Sequence, residues 1–347
     1  MTKKRLEGEM ACEAGFLVQV ECLDASFESS TACFPMTVKL PGIDTEKHDY
    51  NLVAPFSALR ARGDAADAAE AQYAGDSKWG CLQNPYDDPE SAELRAIYTA
   101  AVVERLRFET EGKAGNDDEL QDTVGHFGRD YAHWWPRFAE WIGVVSSQDL
   151  LRLGQKSRRA MLDVVSMWIL EPADGDAPGF STISFGDTRG YCGAPLSRAQ
   201  LERCFALAGA SKRPPLAWRL ICDAHSLARH DEHRRATLDA ATATELAVTE
   251  LLDQYAIAAN SPTVTRQIEK TKMLGNLLGL VAEKMPQTVS PSLSEQAKEQ
   301  VAKPRNRAIH EGVPLSKKEA EAAVTTARQL VEAAYPLSTY GFHGYSV

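Results

Sequence analysis

The sequence predicts an α+β fold, in which a mixed α/β region over residues 1–210 precedes an all-α helical bundle. Apolar and polar residues alternate in short N-terminal segments, and this is the pattern of half-buried strands. After residue 211, apolar residues instead recur every three or four positions, as they do in amphipathic helices. The Pro214-Pro215 pair breaks the chain between these two parts, and 347 residues suffice for two sizeable cores.

The first 60 residues are predicted to form a small β-rich module. Residues 16–22 and 34–40 alternate between apolar and polar side chains, so both are predicted strands. Pro35 assigns the second strand to a sheet edge, because proline cannot donate a ladder hydrogen bond. Residues 51–56 are a candidate third strand.

Residues 61–210 are predicted to be mostly helical, with one short β segment. Their first part, residues 63–89, is rich in Ala, Asp, Gly and Pro and is predicted to be a linker or loop. Helices are predicted over residues 89–112, from residue 116 onwards, over residues 158–170 and over residues 197–209, and a strand is predicted over residues 180–185. A Ser197-x-x-Gln200 capping box is predicted to open the last of these helices.

The helix that starts at Asn116 carries an aromatic stripe from Phe127 to Trp141. Aromatic side chains can stack on nucleic-acid bases. At helical spacing, however, they more often fill the core of a domain, and this is the interpretation adopted here. Pro136 is expected to kink the helix.

The bundle predicted over residues 211–337 begins with a helix that ends near His230. Asp231 is placed to cap a long second helix, whose inner face consists of alanines that permit close helix packing. A third helix is predicted to run through residues 268–281. A Ser316-x-x-Glu319 capping box opens the last helix, and residues 338–347 are predicted to be a mobile tail.

The chemistry of the bundle is concentrated in residues 303–312, which are predicted to form one short helix that starts near Pro304 and ends at Gly312. Asn306 and His310 are four residues apart and share a helix face. Arg305 lies about 140° from His310 around an ideal helix, but its long side chain can swing over the helix start. Arginine grips phosphate oxygens and histidine transfers protons near neutrality, so this set suits metal-free RNA cleavage.

The segment Arg-Asn-Arg-Ala-Ile-His-Glu-Gly, residues 305–312, resembles the signature of the HEPN superfamily of helical ribonucleases, most closely its ApeA-like branch. Residues 234–247 and 274–278 stand where that family has further helical segments. The resemblance covers about the last two fifths of the chain. It implies a metal-independent endoribonuclease that cuts RNA through the ribose 2′-hydroxyl, in a bacterial toxin or phage-defence role.

The same resemblance implies the remaining parts of the site. Relatives place an acidic side chain of an early helix against the arginine–histidine pair, and Glu245 is the candidate here. Such domains pair into homodimers, so His310 of both subunits is expected to supply base and acid. RNA is the implied substrate and no cofactor is implied. Variable N-terminal regions in relatives imply that residues 1–210 bind a trigger or a regulatory partner.

Other interpretations of the bundle remain open. The bundle is alternatively a catalytically inactive dimerisation or RNA-binding module. The segment around His310 is alternatively a solvated helix end, where His310 interacts only with the helix dipole. A toxin silenced by nucleotidylation is disfavoured, because such relatives carry a tyrosine just after the histidine. Arg219 and His225 show a similar spacing, but Leu220 follows the arginine, so this pair is interpreted as a coincidence.

Composition excludes several classes of protein. The seven cysteines include no Cys-x-x-Cys pair, and His225, His230 and His233 straddle a predicted helix break, so a metal site is not expected and these histidines are placed at the surface. No apolar run is long enough to span a membrane, and a cytoplasmic location is expected.

The two parts of the chain differ in charge. Residues 211–347 contain 17 Lys and Arg against 15 Asp and Glu, a net charge of +2, whereas residues 1–210 contain 21 against 33, a net charge of −12. A surface for RNA must therefore be local or formed by oligomerisation.

Overall fold

The computed structural model describes residues 3–43, 52–55, 79–83, 99–113, 117–150, 163–168, 180–185, 193–260, 262–271 and 273–343. An antiparallel sheet occupies the N-terminal part and helices make up the C-terminal part, so the predicted α+β class is confirmed. The strands are β1 (Lys3–Gln19), β2 (Ser26–Ser30), β3 (Pro35–Lys39), β4 (Gly42–Ile43), β5 (Leu52–Val53), β6 (Gly80–Gln83), β7 (Ala100–Lys113), β8 (Asp163–Trp168) and β9 (Phe180–Phe185).

The main sheet is built around β7. Strand β1 pairs with β7 along one side, and β3 and β6 pair with different parts of its other side. Strand β2 completes the order β1-β7-β3-β2. The β-rich part of the protein therefore extends to Lys113, well beyond the first 60 residues.

Two predicted helices are wrong where the structure describes them. Residues 100–112 of the first belong to β7, and residues 163–168 of the second form β8, which pairs with the correctly predicted strand β9. Strand β7 has neighbours on both edges. Residues 101–103 are all buried, so this part of the strand lacks the alternation of a half-buried strand, whereas residues 106–109 alternate apolar and charged side chains. Pairing with distant strands here overrides local propensity.

Two further predictions need correction. Strand β3 lies between β2 and β7 and is not an edge strand. Pro35 is tolerated because it is the first residue of β3, and the pairing with β7 begins only at Met36, opposite Thr110. The predicted linker contains β6, while residues 63–78 and 84–89 lie outside the described residues.

The sheet is covered by α1 (Asp117–Ser146) and α2 (Arg198–Gly209). The aromatic stripe of α1 is core, as predicted: Trp134, Phe138 and Trp141 are fully buried. Phe138 packs edge-on against Phe16 of β1, with ring centroids 5.6 Å apart. The capping box predicted at the start of α2 is present. Buried aromatic area of this kind dominates the stability of a domain core.

The C-terminal helices are α3 (Leu216–Arg229), α4 (His233–Ala259), α5 (Pro262–Lys270), α6 (Leu274–Lys284), α7, which comprises residues 291–311, and α8 (Lys317–Ala334). Helix α4 packs against both α3 and α8. Its alanines, among them Ala240 and Ala243, are fully buried and permit this close approach. The predicted third helix is divided into α5 and α6.

Asp231 does not cap α4, contrary to prediction. Its φ is 62°, so its backbone is left-handed, and the residue before the helix is Glu232, which makes no side-chain cap.

The C-terminal segment also differs from its prediction. Residues 337–340 form a short 3₁₀ helix, and the rings of Tyr340 and Phe342 lie 5.2 and 5.7 Å from Trp141. The predicted mobile tail is therefore packed up to residue 342, and residues 344–347 lie outside the described residues.

Within the described ranges, no helix combines the length and the apolar character that a membrane crossing requires.

Candidate functional site

Arg305 and His310 lie on α7, which is longer than predicted. Ser290 caps the helix by accepting a hydrogen bond from the Leu293 backbone at 3.2 Å. The helix then passes through four consecutive segments, two of them π-helical: α Pro291–Ala297, π Lys298–Ala302, α Lys303–Asn306 and π Arg307–Glu311.

The first π segment explains how the helix continues through Pro304. A proline inside an α-helix lacks an N–H, and its ring clashes with the carbonyl of residue i−4, here Gln300. The π turn over residues 298–302 lies just before Pro304, and at its end the Lys303 N–H bonds to the Lys298 carbonyl, five residues back, as in a wider turn. The sequence alone predicted a helix start near Pro304, because proline is commonest in the first turn.

The second π segment contains His310 and ends the helix. Gly312 follows with a φ of 65° and terminates the helix in the left-handed conformation, as predicted. A π turn holds more residues than an α turn, so each residue advances by a smaller angle. The angle between Arg305 and His310 is therefore smaller than the roughly 140° of an ideal α-helix.

The site residues lie on the outer face of α7. Asn306 and His310 are exposed, and Arg305 is half-buried. Arg305 Nη1 donates a hydrogen bond to Asn306 Oδ1 at 3.3 Å, so the structure joins these two side chains. His310 has no hydrogen-bonding or ionic partner among the described residues. A guanidinium steadied by an amide can hold a phosphate, and an exposed imidazole on the same helix end can transfer protons.

Arg307, for which the sequence predicted no role, anchors this helix end to the start of α8. Its Nη1 lies 2.7 Å from Glu319 Oε1. Glu319 also completes the predicted capping box with Ser316. Hydrogen bonds from the Ser316 backbone and hydroxyl, and then from Arg307, lower the pKa of Glu319 to about 2. The Arg307–Glu319 pair is therefore ionised over the whole neutral range.

Glu245 is half-buried on α4. No hydrogen bond or ion pair joins it to Arg305 or His310 within the described part of the chain. Among the described residues, a hydrogen bond therefore joins Arg305 to Asn306, and no such bond joins either of them to Glu245 or His310.

The structure also places the pair that was interpreted as a coincidence. Arg219 and His225 both line a cavity of about 520 Å³ beside α3. His225, His230 and His233 are half-buried, not surface residues as predicted. No cluster of three His, Cys, Asp or Glu side chains suited to a metal ion occurs among the described residues.

The chain matches no protein family, no curated protein and no solved structure with which it was compared.

Proposed function

We propose that this chain is a metal-independent endoribonuclease of the HEPN type, with a toxin or phage-defence role in the cytoplasm. One observation carries the proposal: Arg305, Asn306 and His310 lie on the outer face of a helix end that contains two π segments. Insertions of this kind are rare and frequently occur at functional sites, because they reorient side chains at a cost in helix stability. The chemistry of the three side chains fits a phosphodiester substrate.

The proposed reaction is an in-line transesterification. A neutral His310 accepts the proton of the ribose 2′-hydroxyl as this oxygen attacks the adjacent phosphorus. A second, protonated His310 donates a proton to the departing 5′-oxygen, so that protons balance over the step. Arg305 holds the scissile phosphate and stabilises its developing negative charge. The products are a 2′,3′-cyclic phosphate and a 5′-hydroxyl.

The second imidazole is proposed to come from another copy of the chain, because each α7 carries one His310. Ile309, directly beside it, is 42% exposed, and an exposed large apolar side chain of this kind is consistent with a contact between copies. Two facing copies would also bring the positive charges of both bundles to one cleft, whereas a single bundle has little net positive charge. Sedimentation of the purified chain should therefore show a dimer.

The test is incubation of total RNA with purified wild type, His310→Ala and His133→Ala in the presence of EDTA. His133 is an exposed histidine on α1 and serves as the matched control. Wild type and His133→Ala should cleave RNA at equal rates, and His310→Ala should be slower by about 100-fold or more, the usual contribution of a general acid–base group. End-group analysis should find cyclic phosphates. Full activity of His310→Ala, or loss of wild-type activity in EDTA, would refute the proposal.

The alternative function is a catalytically inactive dimerisation or RNA-binding module. One observation favours it: among the described residues of a single chain, no hydrogen bond or ion pair joins Glu245 or Arg305 to His310. RNA binding by wild type without any cleavage, together with unchanged binding by His310→Ala, would support this alternative.

A further inference from the structure

A second site lies in the cavity beside α3, where α1 and the loop after it, α3 and α8 meet. Its volume of about 520 Å³ is within the range of small-molecule sites. Besides the thiol of Cys222, six charged or titratable side chains line it: Glu140, Asp149, Arg219, Asp223, His225 and Arg328.

The two arginines of this cavity have unused donors. The Nε atoms of Arg219 and Arg328 are both buried and have no hydrogen-bond partner among the described residues. Arg328 donates from Nη1 to Ser147 Oγ at 2.7 Å, and its guanidinium lies over the Trp218 ring at 5.8 Å. Within the described part of the chain, the Arg219 side chain makes only a long ion pair with Glu140, at 3.9 Å. Buried donors without partners are rare in folded proteins, and they can mark a place where a ligand or an ion binds.

The acidic side chains of the cavity do not satisfy these arginines. Glu140 is held by Arg213, which lies outside the lining and donates from Nε at 2.9 Å. Asp149 accepts the hydroxyl of Ser226 at 2.7 Å. Two of the three carboxylates are therefore engaged elsewhere.

Asp223 is the third acid, and it faces Asp239, Glu140 and Asp149 as well as Arg219. Burial, followed by the repulsion of these three carboxylates, raises its pKa to about 6. Asp223 is therefore mostly ionised at pH 7 and becomes protonated as the pH falls through about 6. Its protonated carboxyl can donate a hydrogen bond to an anion, so the cavity can then present the two guanidiniums and this donor to a ligand.

We propose that this cavity binds a phosphate group, as inorganic phosphate or as part of a phosphate monoester, between Arg219 and Arg328. The two guanidiniums come from different helices, α3 and α8, so they reach a ligand from different directions. A tetrahedral dianion offers oxygens in several directions and matches their combined charge, whereas a planar carboxylate is satisfied by one arginine fork. The proposal does not depend on the proposed nuclease activity.

The test is calorimetric titration of the full chain, in a buffer free of phosphate and sulfate, with two probes: inorganic phosphate and adenosine 5′-monophosphate. Wild type should bind at least one probe saturably. Arg219→Gln and Arg328→Gln should each weaken binding by about tenfold or more, the loss expected for a charge-assisted hydrogen bond. Arg234→Gln removes the same charge at an exposed position of α4 and should leave binding unchanged.

The two probes distinguish the sources of the phosphate. Tighter binding of adenosine 5′-monophosphate assigns the rest of the cavity to an organic group, and tighter or equal binding of inorganic phosphate assigns the site to the free ion. Absence of binding of both probes at millimolar concentration would overturn the proposal, and so would equal binding by wild type and Arg219→Gln. Circular dichroism checks the fold of each variant. If Arg328→Gln does not fold, Arg219→Gln decides alone, since its side chain makes no hydrogen bond within the described residues.

Discussion

The protein contains two arginine–histidine pairs of similar spacing in opposite surroundings. Arg305 and His310 lie at the open end of α7, and His310 is exposed to solvent. Arg219 and His225 line a cavity, where burial, then Arg229 and Arg328, lower the pKa of His225 to about 4. His225 is therefore neutral at pH 7 and cannot act there as a proton donor. Spacing alone does not define a catalytic pair, because the environment decides which protonation states are accessible.

The largest expected effect comes from Arg305→Gln, which tests the exposed pair directly. In the proposed mechanism, loss of the guanidinium removes the group that would stabilise charge on the phosphate in the transition state. The rate of RNA cleavage should fall by about 100-fold or more, as for other lost electrostatic stabilisers. Single-turnover cleavage assays measure this rate, with Arg234→Gln as the control for a lost surface charge. If Arg305→Gln cleaves RNA at the wild-type rate, the exposed pair is not the catalytic one.

A smaller effect, on the pH dependence of stability, is expected for the buried pair Arg219 and His225. The pKa of His225 is lower in the folded chain than its ordinary value of 6.5. The unfolded chain therefore binds a proton first as the pH falls, and stability is lost between about pH 6.5 and pH 4. His225→Gln removes this loss. Between pH 7 and pH 5, the free energy of unfolding should therefore fall further in wild type than in His225→Gln, by about 1–2 kcal/mol.

Urea denaturation at pH 8, 7 and 5 measures this difference. Asp223 is present in both proteins, so its own titration largely cancels in the comparison. Between pH 8 and pH 7 the two proteins should show the same change, which serves as an internal control. Parallel stability curves from pH 8 to pH 5 would show that His225 is not buried as described.

The smallest effect is expected on the stability of α8, the helix that contacts both α7 and the cavity. Ser316→Ala removes the N-cap that accepts the Glu319 backbone N–H and leaves that donor unsatisfied. The free energy of unfolding should fall by about 1 kcal/mol, the usual cost of a lost cap. Urea midpoints measure it, and Ser338→Ala, an exposed serine outside any cap, should change stability by less than about 0.5 kcal/mol. Equal midpoints for both variants would contradict the capping role.

Local signals in the sequence predicted local structure well. The capping boxes at Ser197 and Ser316 and the helix end at Gly312 are confirmed, because each depends on a few neighbouring residues. Strand β7 was missed because its Ala, Glu, Arg and Leu residues favour a helix, and its pairing partner β1 lies about 100 residues away. Long-range pairing of this kind leaves little trace in a single sequence.

The candidate site was predictable only in part. The sequence placed Arg305, Asn306 and His310 at a helix end, but the two π segments that change their angles depend on hydrogen bonds no residue pattern specifies. The cavity was missed because its walls come from three separate helices. The available signal was the row of Arg219, Asp223 and Ser226, spaced by four and three residues on α3, which places polar groups along one line of a largely buried helix.

Helix α8 contacts both the proposed nuclease site on α7 and the cavity beside α3. It meets α7 through Glu319, and nine residues later it borders the cavity through Arg328. At 1.5 Å per residue these positions are only about 14 Å apart along one continuous helix. A continuous helix transmits a shift at one end to the other. If the cavity binds phosphate as proposed, cleavage assays run in phosphate buffer and in a phosphate-free buffer should therefore be compared as measurements on two different states of the chain.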